Sequence, residues 1–352
     1  MIRPPARAAI DVADLIRDGL ASAADATALQ AAAQDFAIRI TPEMRRAIAP
    51  GAATTDPVAR QFQPAADELL SDADALRDPI GDARHSPVSG VTHRYPDRVI
   101  LHVTRVCDVH CRFCFRREVV GESGPLPAAE LTAALAYIAA TPAIREVILT
   151  GGDPLTLSPR RIAALLARLA AIAHVEVLRI HTRVPVVAPA RVNPDLIAAL
   201  KLRLPVFVAI HANHEAELTP AACAALARLA DAGIPLISQT VLLKGVNDSA
   251  AVLAALFRGF ARNRVKPYYL HHCDLARGAG HFRTTITAGQ RLMAELGGQI
   301  SGLCLPRYVL DIPGGYGKVP LTPDHVRADG GPGRYLLRDH RGGLHRYLDP
   351  GC

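Results

Sequence analysis

From about residue 97 onward, short β-branched runs alternate with Ala- and Leu-rich stretches of helical periodicity. The candidate strands are RVILHVT (98–104), REVILTG (145–151), VEVLRIHT (175–182), VFVAIH (206–211), PLISQTVLL (235–243), VKPYYLHH (265–272) and RYVLDI (307–312). Between them lie AAELTAALAYIAA, SPRRIAALLARLAAI, NPDLIAALK, TPAACAALARLADAG and DSAAVLAALFRGFARN. Several of these open on Ser, Thr, Asn or Asp followed by Pro or an acidic residue, which is N-cap chemistry. Alternation at this spacing predicts βαβ units and an α/β fold with a parallel sheet, open or curled into a barrel. Such sheets carry their chemistry at the C-terminal ends of the strands. The unusual polar residues gather there: a cysteine cluster after the first run, Gly151-Gly152-Asp153 after the second, His181-Thr182-Arg183 after the third and His211 after the fourth. Gln239 lies within the fifth run and Asp274 follows the sixth.

The flanks differ. Residues 1–85 read as a helical extension: ADATALQAAAQDFAIRI has helical spacing, TPEMRRAIAP opens on a Thr N-cap with Pro at the first helical position, and AADELLSDADAL is an acidic helical stretch. Nothing in this extension looks catalytic. Residues 86–320 form the core, and 321–352 a tail in which RYLLRDHRGGLHRYLDP reads as a hairpin packed on the body. The net charge is +7, but the basic residues are spread along the chain, which argues against a nucleic-acid partner. No uninterrupted apolar run is long enough for a transmembrane helix, and Asp11, Asp14 and Arg17 break up any signal-peptide core. The expectation is a cytoplasmic protein with no membrane partner.

Of the seven cysteines, Cys107, Cys111 and Cys114 fall in one segment, CDVHCRFC. An odd count argues against a disulfide framework. A structural zinc wants four ligands. Three thiolates on one loop with no nearby fourth fit a [4Fe–4S] cube with one iron left open. Phe113, just before the third cysteine, is placed to shield such a cluster from solvent.

A second motif follows the last strand. In DIPGGYGKVP the glycines expose Lys318, one of only four lysines in the chain. A lysine so placed suits a Schiff-base role, a phosphate contact or a solvated loop. No Ser or Thr follows Lys318, so the loop is not a Walker A motif.

The cysteine spacing with its aromatic resembles the radical S-adenosylmethionine (SAM) superfamily. That resemblance implies a partial (β/α)6 barrel and a [4Fe–4S] cluster on Cys107, Cys111 and Cys114. The open iron would chelate SAM, whose one-electron cleavage yields a 5′-deoxyadenosyl radical. Gly151, Gly152 and Asp153 look like the segment that meets the methionine ammonium of SAM. Together the two motifs resemble the lysine 2,3-aminomutases. The matching blocks run from about residue 85 to 320 and include THRYPDR (92–98), LTGGDPL (149–155), QTVLLKGVND (239–248) and GHFR (280–283). In that family pyridoxal 5′-phosphate (PLP) is held as a Schiff base, here implying Lys318. Arg94 and Arg98, with Tyr95 beside them, would hold its phosphate. Arg116 would bind the substrate carboxylate, and Asp274 and Asp311 the distal ammonium of L-lysine. His211 and Gln239 would line the SAM and PLP pocket. The electron donor implied is a flavodoxin or ferredoxin.

The clostridial-type members carry a C-terminal cysteine cluster for zinc. Here it stops at Cys352, and Ser249 stands where a partner thiol is expected. The expectation is no structural zinc and a homo-oligomer, if any, held differently. The compact elongation factor P β-lysylation branch is an alternative with the same reaction. Arginine- and glutamate-specific aminomutases are further options, although a glutamate enzyme has no use for two aspartates at the distal group. From other classes come a non-catalytic iron–sulfur scaffold and an RNA-modifying radical enzyme. The latter has no use for the Lys318 loop.

Overall fold

The computed structural model describes residues 7–49, 55–70, 72–121, 124–331, 333–339 and 342–350. The chain enters through four short helices, α1 (Val12–Arg17), α2 (Ala26–Asp35), α3 (Pro42–Ala47) and α4 (Ala59–Phe62). Asp11 caps α1 by accepting from Asp14 N at 2.7 Å, and Thr41 caps α3 ahead of Pro42. The acidic stretch at 65–76 was expected to be helical, but among its described residues the one helical element is a 3-10 turn at Ala66–Leu69. Its side chains are used elsewhere. Glu68 reaches back to Ala65 N at 3.0 Å and is drawn inward by two arginines, while Asp72 accepts from Asp74 N at 3.1 Å.

The core is a nine-stranded sheet with strands in sequence order. These are β1 (Val91–Tyr95), β2 (Arg98–Thr104), β3 (Glu146–Gly151), β4 (Val177–Thr182), β5 (Val206–His211), β6 (Leu236–Leu242), β7 (Val265–His272), β8 (Arg307–Ile312) and β9 (Gly317–Pro320). Strands β2 to β8 are parallel neighbour to neighbour, whereas β1 and β9 run antiparallel on the two edges. The connections carry α5 (Ala128–Ala139), α6 (Pro159–Ala170), the single turn α7 (Val184–Val187), α8 (Pro194–Leu200), α9 (Pro220–Asp231), α10 (Ala250–Arg262) and α11 (Ile286–Gln299). The predicted α/β barrel is therefore present as six strand–helix units from β2 to α11, with β8 as the next strand. Tyr95 of β1 accepts from Lys318 N of β9 at 2.7 Å, so the two edges nearly close the sheet.

Local sequence explains these elements. Ser158, Asn193, Thr219, Ser249 and Thr285 each cap the helix that follows. On α6, Ile162, Leu165, Leu166 and Leu169 are buried, the i, i+3, i+4, i+7 stripe of a helix packed on a sheet. Each such leucine contributes roughly 1.5–3 kcal/mol by burial. Helix α11 escaped the sequence pattern because three glycines dilute ITAGQRLMAELGGQ. Gly289 is there for packing, since a Cβ at that position would collide with the Tyr308 ring.

The tail forms its own antiparallel sheet of β10 (Val326–Ala328), β11 (Arg334–Arg338) and β12 (Leu344–Leu348). The expected hairpin is β11–β12, with β10 as an unexpected third strand. The packing expected of it does not reach β12, whose five residues are all exposed. His340 and Arg341 of its turn, and Cys352, lie outside the described residues.

Candidate active site

The cysteine loop leaves the C-terminal end of β2 and is held by the N-terminal helices. Arg39 O accepts from His110 N at 2.9 Å and Gln61 O from Arg112 N at 2.8 Å. Arg112 is wholly buried and clasps Glu68, Nε to Oε1 at 2.8 Å and Nη2 to Oε2 at 2.6 Å. Arg117 joins the same Oε2 at 2.8 Å, and both guanidinium groups face the Phe36 ring at 4.8 Å. The N-terminal segment thus clamps the cysteine loop.

The three thiols are free and inward-facing. Burial raises all three pKa values, that of Cys114 to about 11, and each is raised further by a neighbouring cysteine or buried carboxylate. Three thiols that resist ionisation on their own fit a cationic inorganic centre, which strips their protons on binding. Among the described residues no trio of His, Cys, Asp or Glu converges on a single metal ion. A cube that takes each thiolate on a different iron does not require such convergence.

Gly151 and Gly152 end β3 against the backbone that leads into this loop. Gly151 sits at φ +109°, and a Cβ on either glycine would run into Thr104 O or Val106 O. Gly152 N donates to Thr104 O at 2.6 Å and Asp153 N to Val106 O at 2.8 Å. The Asp153 carboxylate is taken up inside the protein. It accepts from Thr182 Oγ1 at 2.7 Å, Arg183 N at 2.7 Å, Leu155 N at 3.0 Å and Val184 N at 3.2 Å. Burial still lifts its pKa to about 6. Asp153 therefore ties the ends of β3 and β4 together beside the cysteines.

In the β8–β9 ladder, Lys318 stands across from Asp311. Its Nζ lies 2.9 Å from Asp311 Oδ1. Gly317, at φ +93°, has the Tyr95 hydroxyl where a side chain would begin. Asp311 also faces His271 Nδ1 at 3.6 Å and Arg94 Nη1 at 3.7 Å. Burial opposes the charge on Asp311, but the neighbouring His271 and the Lys318 charge outweigh it and hold the carboxyl below the usual range. Asp274 behaves in the opposite way. Burial, then the Asp311 charge, raises its pKa to about 7. Two carboxyls in one pocket are thus split into a fixed anion and one that titrates near neutrality.

Asp82 organises the arginines. Its Oδ1 accepts from Arg94 Nη2 at 3.2 Å and its Oδ2 from Arg116 Nε at 2.8 Å. Among the described residues the two Nη groups of Arg116 have no hydrogen-bond partner, and its guanidinium lies over the Phe115 ring at 4.5 Å. Arg98 stands apart at the opening residue of β2. It pairs with Asp97 at 2.6 Å and covers the Tyr95 ring at 3.8 Å, so it meets the site only through Tyr95. The β5–β6 register sets His211 beside Gln239. His181, His211 and His271 each bury an Nε2 with no hydrogen-bond partner among the described residues, and the His181 and His211 rings are 5.7 Å apart. Burial keeps these imidazoles neutral, that of His211 down to about 3. Unpartnered ring nitrogens aimed into a barrel are atoms that a bound cofactor satisfies.

Comparison with known proteins agrees with this geometry. Residues 101–257 match the family model of the radical SAM superfamily, and residues 293–351 match that of lysine-2,3-aminomutase. An L-lysine 2,3-aminomutase from Fusobacterium nucleatum is 44% identical over 84% of this chain and 69% of its own length. The chain belongs to the lysine 2,3-aminomutase family of radical SAM enzymes. Another member, from Methanococcus maripaludis, is 40% identical over 92% of this chain and 75% of its own. A glutamate 2,3-aminomutase from Clostridioides difficile is 36% identical over 78% of this chain and 65% of its own. The family match continues through the tail to residue 351, beyond the limit near 320 read from the sequence blocks. The protein is thus an enzyme of the isomerase type of this family, and the family implies the cluster and SAM.

Sequence reasoning missed Asp82, His271, Glu68, Gln61 and Glu217. Asp82 and Glu68 lie in segments with no motif, and Glu217 closes a short 3-10 turn, Glu215–Glu217. His271 stood in view as the polar end of a strand.

Proposed function

We propose that the protein is a PLP-dependent radical SAM aminomutase that converts L-lysine to β-lysine. The observation that carries this reading is the Asp311 carboxylate, which already receives a primary ammonium, that of Lys318, at 2.9 Å. The second carboxyl, Asp274, makes no hydrogen bond to the protein among the described residues and shares the electrostatic neighbourhood of Asp311, Lys318 and Arg116. A cationic side chain satisfies both groups, whereas an anionic or neutral one leaves buried carboxylate unpaired. This favours lysine over glutamate.

The bound cofactors supply a radical for hydrogen abstraction and a conjugated ring for the migrating nitrogen. The chain supplies position. Lys318 is the anchor for PLP, with Tyr95 fixing its backbone and Arg94 beside it. Arg98 acts from behind Tyr95. The free Nη groups of Arg116 take the substrate carboxylate as a planar fork, oriented by Asp82. Asp274 and Asp311 hold the far ammonium, so carboxylate and side chain are pinned at opposite ends and the carbons between them are fixed. His211, Gln239 and the glycine edge at 151–152 line the SAM side, and Asp153 braces that edge. Cys107, Cys111 and Cys114 hold the cluster. The neutral rings of His181, His211 and His271 offer hydrogen bonds without adding charge near the cations.

No helix among the described residues is long and apolar enough to cross a membrane. A cytoplasmic enzyme fed by a flavodoxin- or ferredoxin-type donor is consistent with this reading. The test is anaerobic reconstitution with iron, sulfide, PLP, SAM, a reductant and L-lysine, followed by NMR. β-Lysine is the expected product. Its absence from protein shown to carry both cluster and PLP refutes lysine as substrate, and arginine, ornithine and glutamate are then screened.

A further inference from the structure

We propose that Arg183 tunes the reduction potential of the cluster by donating a charged hydrogen bond to the sulfur of Cys111. The proposal rests on the reading that Cys107, Cys111 and Cys114 hold a [4Fe–4S] centre. Arg183 follows β4 and is 7% exposed. Its Nη1 lies 2.9 Å from Cys111 Sγ. Its Nη2 meets Gln61 Oε1 at 3.0 Å and the Glu217 carboxylate.

The guanidinium is over-determined. Glu217 is fully buried, and its Oε1 accepts from Asn213 N at 2.8 Å, His214 N at 2.9 Å and Gln61 Nε2 at 2.9 Å. Asn213 Nδ2 closes the ring on Gln61 Oε1 at 3.0 Å. Phe62 and Phe113 flank the guanidinium at 4.8 and 5.7 Å. The Arg183 backbone is itself fixed by Asp153 Oδ2 at 2.7 Å. A buried ion pair is a poor stabiliser compared with apolar packing. Groups from four parts of the chain nevertheless aim one guanidinium edge at one sulfur. Among the described residues, Cys111 is the cysteine of the three whose sulfur has a cationic side-chain donor within hydrogen-bond distance.

Reduction adds one electron, taken from the external donor, to a cluster whose negative charge spreads over its sulfurs. A fixed cation donating to one sulfur stabilises the reduced form more than the oxidised form and raises the potential. Among the described residues, Arg183 makes no hydrogen bond or ion pair with Arg116, Asp274, Asp311 or Lys318; its partners are Cys111, Gln61, Glu217 and Asp153. It is a positioning and tuning residue.

Two measurements test this. In protein grown with arginine labelled with ¹⁵N only in its guanidinium group and reconstituted, pulsed EPR of the reduced cluster should show a ¹⁵N coupling across the N–H···S bond. Its absence overturns the proposal without any variant. The double variant R183Q/E217Q removes both buried charges and leaves a neutral pair. In an EPR redox titration its potential should fall by about 59 mV or more, a tenfold loss in the one-electron reduction constant. A fully loaded double variant at the wild-type potential also overturns the proposal. R183K, which retains the charge, should fall less than the double variant and supplies the comparison if the latter loads poorly. Iron and sulfide analysis separates this from failure of the underlying reading: wild-type protein that binds no four-iron cluster refutes the cluster itself.

Discussion

Replacing Asp311 with asparagine keeps the shape of the side chain and removes its charge. The structure says what is lost. Asp311 is 7% exposed and faces the ammonium of Lys318 at 2.9 Å, with Arg94 and His271 beyond. A charge-assisted hydrogen bond contributes about 1.5–3 kcal/mol. At about 1.4 kcal/mol per factor of ten, its loss weakens binding of a distal ammonium roughly 10- to 100-fold. Asp274 remains, but its pKa near 7 was raised partly by the Asp311 charge, so in D311N it ionises more readily and offsets part of the loss. The lower end of the range is therefore expected. The assay is kcat/KM of the reconstituted enzyme for L-lysine and for L-norleucine, which keeps the chain length and lacks the ammonium. Lysine should lose about tenfold and norleucine far less. Equal losses for both substrates, or an unchanged preference for lysine, refute the assignment of Asp311 to the distal charge.

Glu68→Gln leaves Arg112 and Arg117 buried without their counter-charge. Breaking such a pair costs about 3–5 kcal/mol, read by thermal melting, and the iron content after reconstitution should fall because the cysteine loop loses its clamp. Gly152→Ala drives a Cβ into Val106 O, so the loop must shift and cluster loading should drop, with little change in secondary structure by circular dichroism. Leu166→Ala, on the buried stripe of α6, should cost about 2–5 kcal/mol without altering the iron content. Asp274 has a folded pKa raised to about 7, so the folded state binds more protons than the unfolded one between about pH 4 and 7. Its contribution to stability becomes unfavourable as pH rises through that window. Asp274→Asn should therefore melt higher than wild type in apoprotein at pH 8 and about equally at pH 4, and show impaired turnover of lysine.

Much of this was legible in the one-dimensional pattern. Strands β2, β5, β7 and β8 fall where the β-branched runs stand, because buried parallel strands need apolar residues on both faces. Caps such as Ser158 and Thr219 mark helix starts because a side-chain oxygen on a neighbouring N–H is a local event. Cys107, Cys111 and Cys114 share one loop, so their spacing alone singled them out as a set. The Lys318 loop was visible for the same reason, although β9 hid within it: strand pairing with β8 overrides the glycines.

Other features depend on groups far apart in sequence. Glu68 read as one more acidic helix residue until Arg112 and Arg117 drew it inward. Asp82 acquires its role only when the fold brings Arg94 and Arg116 to its two oxygens. The opposite titration of Asp274 and Asp311 comes from burial and mutual charge, neither of which a sequence displays. The same holds for Arg183, whose partners Cys111, Gln61 and Glu217 come from three separate segments. Local hydrogen bonding and periodicity are written residue by residue and determine the elements and their order. Electrostatics acts across space, so the setting of each charge was decided only when the barrel brought distant segments within a few ångströms of one another.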